Sequence, residues 1–154
     1  MVAFQDLFRQ SRGQPVEYDG KIIKMSDRIE IEKNIDIIIN FDKVSSPWIQ
    51  GINLKTKGFF LVEGERLEKS IVLWSDTSPT RPHFSVVSTD GILWVKNVWD
   101  MGDGVMQSWH AGGAMIVEEF KNVRRYLCND GELDDDFDDL IFTLEIDRSS
   151  QHSI

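Results

Sequence analysis

The sequence predicts an all-β protein, a single-domain antiparallel β-sandwich of jelly-roll type with a short N-terminal helix. Three observations carry that reading. Beyond residue 20 the apolar residues alternate, as in IDIIINF, where Ile35, Ile37, Ile39 and Phe41 share one face and Asp36 and Asn40 the other. Short runs of this kind recur at roughly ten-residue spacing, with turn residues between them, the pattern of sandwiches and barrels. The length of 154 residues, with nine Phe and five Trp, suffices for one domain with a real core.

Residues 1–20 form an extension in which Val2, Phe4, Leu7 and Phe8 cluster on one side of a short helix that packs on the body. Residues 21–147 form the sandwich, from KIIKM and RIEIE through GFFLVEG, SIVLWSD and PHFSVVS to AMIVEEF, NVRRYLC and LIFTLEI. Thr89-Asp90-Gly91 reads as a tight hairpin between PHFSVVS and GILWVKN, because Gly accepts positive φ. GILWVKNVW is apolar on both faces and reads as a central strand. A sandwich covers one face of each sheet, so an outward Trp there needs a loop, the N-terminal segment or a partner to cover it. Residues 148–154 read as a frayed polar tail. No stretch reaches the ~20 apolar residues of a membrane span.

The formal net charge is −9, and seven acids lie between Asn129 and Asp139. The acidity is therefore largely one local feature. Nucleic acid is not an expected partner, since the densest basic spots, Arg124-Arg125 and Lys55/Lys57, are too small to neutralise phosphates. A single cysteine, Cys128, excludes an intrachain disulfide framework. The start MVAFQDLFRQ has neither a basic region nor an apolar run, so no signal peptide is expected and the location reads as cytoplasmic.

The acids sit in NDGELDDDFDDLIFTLEI, Asn129 to Ile146, directly before a strand pattern. Crowded carboxylates raise one another's pKa and destabilise a fold unless something positive relieves them. Ca²⁺ does so, taking roughly 6–8 oxygen ligands at about 2.3–2.6 Å. In an extended stretch Asp134, Asp136 and Asp138 point the same way and Phe137 faces the core. Asp139 opens the last strand, with Leu140, Phe142, Leu144 and Ile146 as its buried stripe. The expected metal ligands are Asp134, Asp136, Asp138 and Asp139, with Asp130 as an outer candidate. The helix–loop–helix calcium template does not fit, since its invariant Gly would be Asp139. A solvated loop guarding a strand edge, or a face for a basic protein, explains the same residues.

DDDFDDLIF resembles the D-x-D-[FY]-[ND]-D-[LV]-[VI] box near the end of calcium-associated β-sandwich domains in bacterial surface and secreted proteins. Asp134, Asp136, Phe137, Asp138, Asp139, Leu140 and Ile141 stand at the matching positions. The resemblance implies calcium and a binding or adhesive role rather than a reaction.

The Gly-rich stretch Trp99 to Met115 lacks a G-x-G-x-x-G register, so a nucleotide cradle is not expected. Asp100 and Asp103 would join a cation site if this loop meets the acidic one. Trp48, Trp109, His110, Asp100 and Asp103 form a candidate ligand-binding set, with Trp faces to stack on sugar rings. At least three of the five Trp are expected in the core.

Cys128, His110 and His83 have no nucleophile–base motif around them and make a poor zinc set. A carboxylate pair such as Asp100 and Asp136 suits a glycosidase only at a defined separation. Arg124 and Arg125 are expected to snorkel or pair with Asp130 or Glu132. The sequence thus reads as a non-enzymatic binding module whose acidic loop holds Ca²⁺, with a carbohydrate or protein partner. The rival reading is a metal-free intracellular interaction domain of inhibitor or immunity type, offering an acidic face to a basic partner.

Overall fold

The structure is a computed structural model that describes residues 3–108, 112–132 and 136–147. The polar tail at 148–154 and Val2 lie outside the described residues. These form one helix, α1 (Phe4–Gln10), and eleven strands. The strands are β1 (Val16–Tyr18), β2 (Lys21–Ile23), β3 (Asp27–Glu30), β4 (Asn34–Val44), β5 (Ile49–Val62), β6 (Glu65–Trp74), β7 (His83–Asp100), β8 (Met106–Gln107), β9 (Ala114–Glu119), β10 (Val123–Asn129) and β11 (Leu140–Asp147). β1 and β2 make a small hairpin, so pairing already begins within the N-terminal extension.

The protein is all-β and sandwich-like. The remaining strands run in the order β6-β5-β7-β4-β11-β10-β9, with β3 and β8 also paired to β7. β6, β5 and β7 face β4, β11, β10 and β9 across a core that includes Ile37, Ile39, Leu54, Phe60, Val86 and Phe142. The two layers belong to one hydrogen-bonded sheet, joined where Asn34–Ile38 of β4 pairs with β7. Period-two patterning does what it should. Leu140, Phe142 and Leu144 have no exposed surface, and Ile35, Ile37 and Ile39 are likewise buried.

The expected hairpin at Thr89-Asp90-Gly91 is absent, because β7 runs through it. The reason is β5, which pairs with both halves of β7, from Leu61 opposite Ser85 to Ile49 opposite Asp100. Between Gly58↔Ser88 and Thr56↔Leu93, residues 89–92 stand against Lys57 alone. Gly91, at φ 72°, therefore serves a bulge instead of a turn. Gly58 allows the close approach, since a Cβ there would fall 1.9 Å from the Val87 carbonyl oxygen. The bulge redirects β7, whose first half joins β4 and whose second half joins β3 and β8.

A second apolar cluster docks the helix as expected. Phe4 and Phe8 pack with Ile23, Ala114 and Phe137, and Leu7 and Tyr18 lie against them.

Among the described residues the two arginines form no ion pair with the acidic loop. Asp27 is fully buried at the start of β3 and accepts bonds from Tyr126 Oη (2.6 Å), Arg124 Nε (2.9 Å) and Lys24 Nζ (3.0 Å). A buried carboxylate needs a cation far more than a solvated one does, and Arg124 supplies it. Arg125 instead meets Glu118, its direct cross-strand partner, at 3.3 Å.

Candidate functional site

The acidic loop is held from within. Asp130 has no exposed surface. Its Oδ2 accepts from Ser46 Oγ and Gln50 Nε2, and its Oδ1 from the Glu132 N–H. Asp139 Oδ2 accepts from the Asp130 N–H at 3.0 Å. Asp138 pairs with Lys43 Nζ at 3.3 Å, and Asp136 is exposed. Asp134 lies outside the described residues. Phe137 faces the core, as its place in the sequence implies, with its N–H on Asn129 Oδ1 at 2.6 Å and its ring 5.5 Å from that of Phe4. Hydroxyl, amide and backbone donors, with one lysine, thus stand around the described acids. Among the described residues these acids converge on no three-ligand group; Asp36, His83 and Asp147 do.

Asp100 and Asp103 turn back on their own loop. Asp100 Oδ1 accepts from the Gly102 and Gly104 N–H groups, and Asp103 Oδ1 from that of Val105. The two loops do meet, but through backbone. A Cβ on Gly112 would lie 2.0 Å from the Glu132 carbonyl oxygen.

The tryptophans are less buried than expected. Trp99 is fully buried, Trp48 and Trp74 are half-buried, and Trp94 is 41% exposed. Trp109 and His110 lie outside the described residues. Trp99 packs against Gly113 and Gly131, and Trp48 also lies beside Gly131. Cys128 is fully buried; that burial, and then Asp139 beside it, pushes its thiol well up, so it stays protonated and unreactive.

Trp94 answers the question posed by the doubly apolar central strand. It is the outward tryptophan of β7, and it remains open. Its cross-strand partners are Lys55 on β5 and Arg28 on β3, so three strands place a cation, an indole and a cation in one row. In the next row along the same face, Lys96 stands opposite Asn53. Ser26, Asn53, Lys55, Trp94 and Lys96 line a concavity of about 370 Å³. A second hollow shares Lys55 and Trp94 and reaches Lys57, Lys69 and Asp90.

Lys96 Nζ donates to the Met25 carbonyl at 2.8 Å. Burial first, and then the charge of Lys55, lower its pKa to about 8. Asn53 is fixed by bonds from its amide to Ser70 Oγ and the Ile71 carbonyl. Such a hollow offers two ammonium groups, a fixed amide oxygen and an aromatic face to one small ligand.

No family model matches the chain, and no curated protein or solved structure matches it.

Among the described residues no helix is long and apolar enough to cross a membrane. Sequence reasoning noted Lys55 only as part of a basic spot too small for nucleic acid, and passed over Lys96. Their signal was present only as alternation, Lys55 and Lys57 on one strand and Trp94 and Lys96 on another, and it needed the β5–β7 register to become a site.

Proposed function

We propose that the protein is a binding module and that the Trp94 face is where it binds. The ligand class that fits is a small anion with a ring-shaped body, of which an acidic saccharide is the best example. One observation carries this reading. Lys96 is a half-buried ammonium, it stands beside a second ammonium, Lys55, and neither has a carboxylate partner among the described residues. A half-buried ammonium beside an exposed like charge is unfavourable, and a carboxylate or sulfate entering the hollow relieves it. The open Trp94 ring supplies a stacking surface for the body of the ligand. The volume of about 370 Å³ suits one or two sugar units.

The overall charge of −9 sharpens the choice. A small anion is drawn to the local cations, while an extended polyanion meets the acidic remainder of the surface. In this reading the acidic loop braces the end of the sheet around Trp99.

The test is a tryptophan-fluorescence titration with uronic-acid oligosaccharides and with their neutral counterparts. Saturable quenching by the acidic series, lost in Trp94→Ala and weakened in Lys55→Ala, supports the reading. Equal binding of neutral sugars, or acidic binding that survives Trp94→Ala, overturns it.

A further inference from the structure

Three groups that the ligand face does not use meet on the outer side of the β4–β11 layer. Asp36 on β4 and Asp147 on β11 are direct cross-strand partners. Like charges placed opposite each other destabilise a strand pair. These two are also mostly covered, with side chains 22% exposed. His83, the first residue of β7, reaches between them. Its Nε2 lies 3.9 Å from Asp36 Oδ2 and 3.5 Å from Asp147 Oδ2. Ser85 Oγ donates to the other oxygen of Asp36, Oδ1, which leaves Oδ2 turned to the imidazole. The nearby guanidinium of Arg81 goes to Glu145 instead.

The geometry points to a divalent transition-metal site formed by Asp36, His83 and Asp147, with Zn²⁺ as the type ion. The three ligand atoms already lie within 4.8 Å of one another. Ligands at about 2.0–2.2 Å from a tetrahedral ion stand roughly 3.3–3.6 Å apart, so side-chain adjustments of about 1 Å complete the set. An imidazole nitrogen with two carboxylates suits a first-row transition ion better than Ca²⁺. His83 is 51% exposed, which leaves the outer coordination positions to water. The ion replaces the Asp36–Asp147 repulsion with shared coordination and ties β4, β7 and β11 together where the two layers join. This site stands apart from the Trp94 face and does not depend on it.

Chelator-stripped protein is titrated with Zn²⁺ by calorimetry and by thermal melting, and with Co²⁺ by visible absorption. One equivalent is expected to bind and raise the melting temperature, and Zn²⁺ is expected to erase the Co²⁺ band. His83→Ala and Asp36→Asn each weaken binding about tenfold or more. Asp36→Asn keeps an acceptor for Ser85 and removes the like charge, so its metal-free melting temperature is equal or higher. A His110→Ala, His152→Ala double variant binds as the parent does. Absence of stoichiometric binding in the parent, or unchanged affinity in both His83→Ala and Asp36→Asn, overturns the site.

Discussion

Arg124 Nε lies 2.9 Å from Oδ2 of Asp27, a carboxylate with no exposed surface, and the pair ties β10 to the first residue of β3. Burial alone would raise the Asp27 pKa. The bonds from Tyr126, Arg124 and Lys24 outweigh it together and hold the carboxyl below its ordinary value. Asp27→Ala leaves the guanidinium and the phenol without their acceptor and is expected to cost about 3–5 kcal/mol in urea unfolding. Because the folded pKa is the lower one, the stabilisation is complete above the unfolded value near ~4 and is lost as pH falls through the folded one. Stability should therefore decline on the acid side of about pH 4, and more shallowly in Asp27→Asn. A parent and variant with the same acid profile would contradict the assignment.

Lys96 gives the opposite pH signature. The unfolded side chain keeps its proton to about 10.4. The folded one releases it near about 8. Between those values the unfolded chain binds more protons, so this group makes stability rise with pH across that window. A bound anion favours the ammonium form, so ligand affinity should fall as pH climbs through about 8. Lys96→Met is expected to flatten both trends, as read from fluorescence titrations and melting curves at several pH values.

Within the acidic loop the residues should separate sharply. Asp130→Ala removes the acceptor for Ser46, Gln50 and the Glu132 N–H, with an expected loss of about 2–3 kcal/mol. Asp136 is exposed, and Asp136→Ala should stay within about 0.5 kcal/mol of the parent. Since donors already surround Asp130 and Asp139, Ca²⁺ and a Ca²⁺-selective chelator should give superimposable melting curves. A calcium-dependent rise abolished by Asp136→Ala would reverse this view of the loop.

How much of this was legible in the residues depended on how local the deciding physics was. The stripes of β4 and β11 were readable because each strand buries one face, and period two alone decides which. Thr89-Asp90-Gly91 was misread because a positive-φ glycine serves a bulge as well as a hairpin. What decides between them is β5, whose pairing with both halves of β7 is set by residues some thirty positions away. The crowding of the acids was plain, but Ser46 and Gln50, which answer Asp130, come from far along the chain. Arg124 looked like a neighbour of Asp130 in sequence, yet a fully buried Asp27 competed for it and won. The need to cover a tryptophan on the central strand was visible. That Lys55 and Arg28 flank Trp94 required the register of three strands.

The decisive measurement is the fluorescence titration of the parent and Trp94→Ala with an acidic oligosaccharide and its neutral analogue at about pH 7, below the Lys96 pKa of about 8. Trp94 is 41% exposed, so its truncation should lower the melting temperature by several degrees and leave the protein folded. Binding confined to the acidic sugar and abolished in Trp94→Ala is the expected result. A folded Trp94→Ala protein that binds the acidic sugar as tightly as the parent would place the ligand elsewhere.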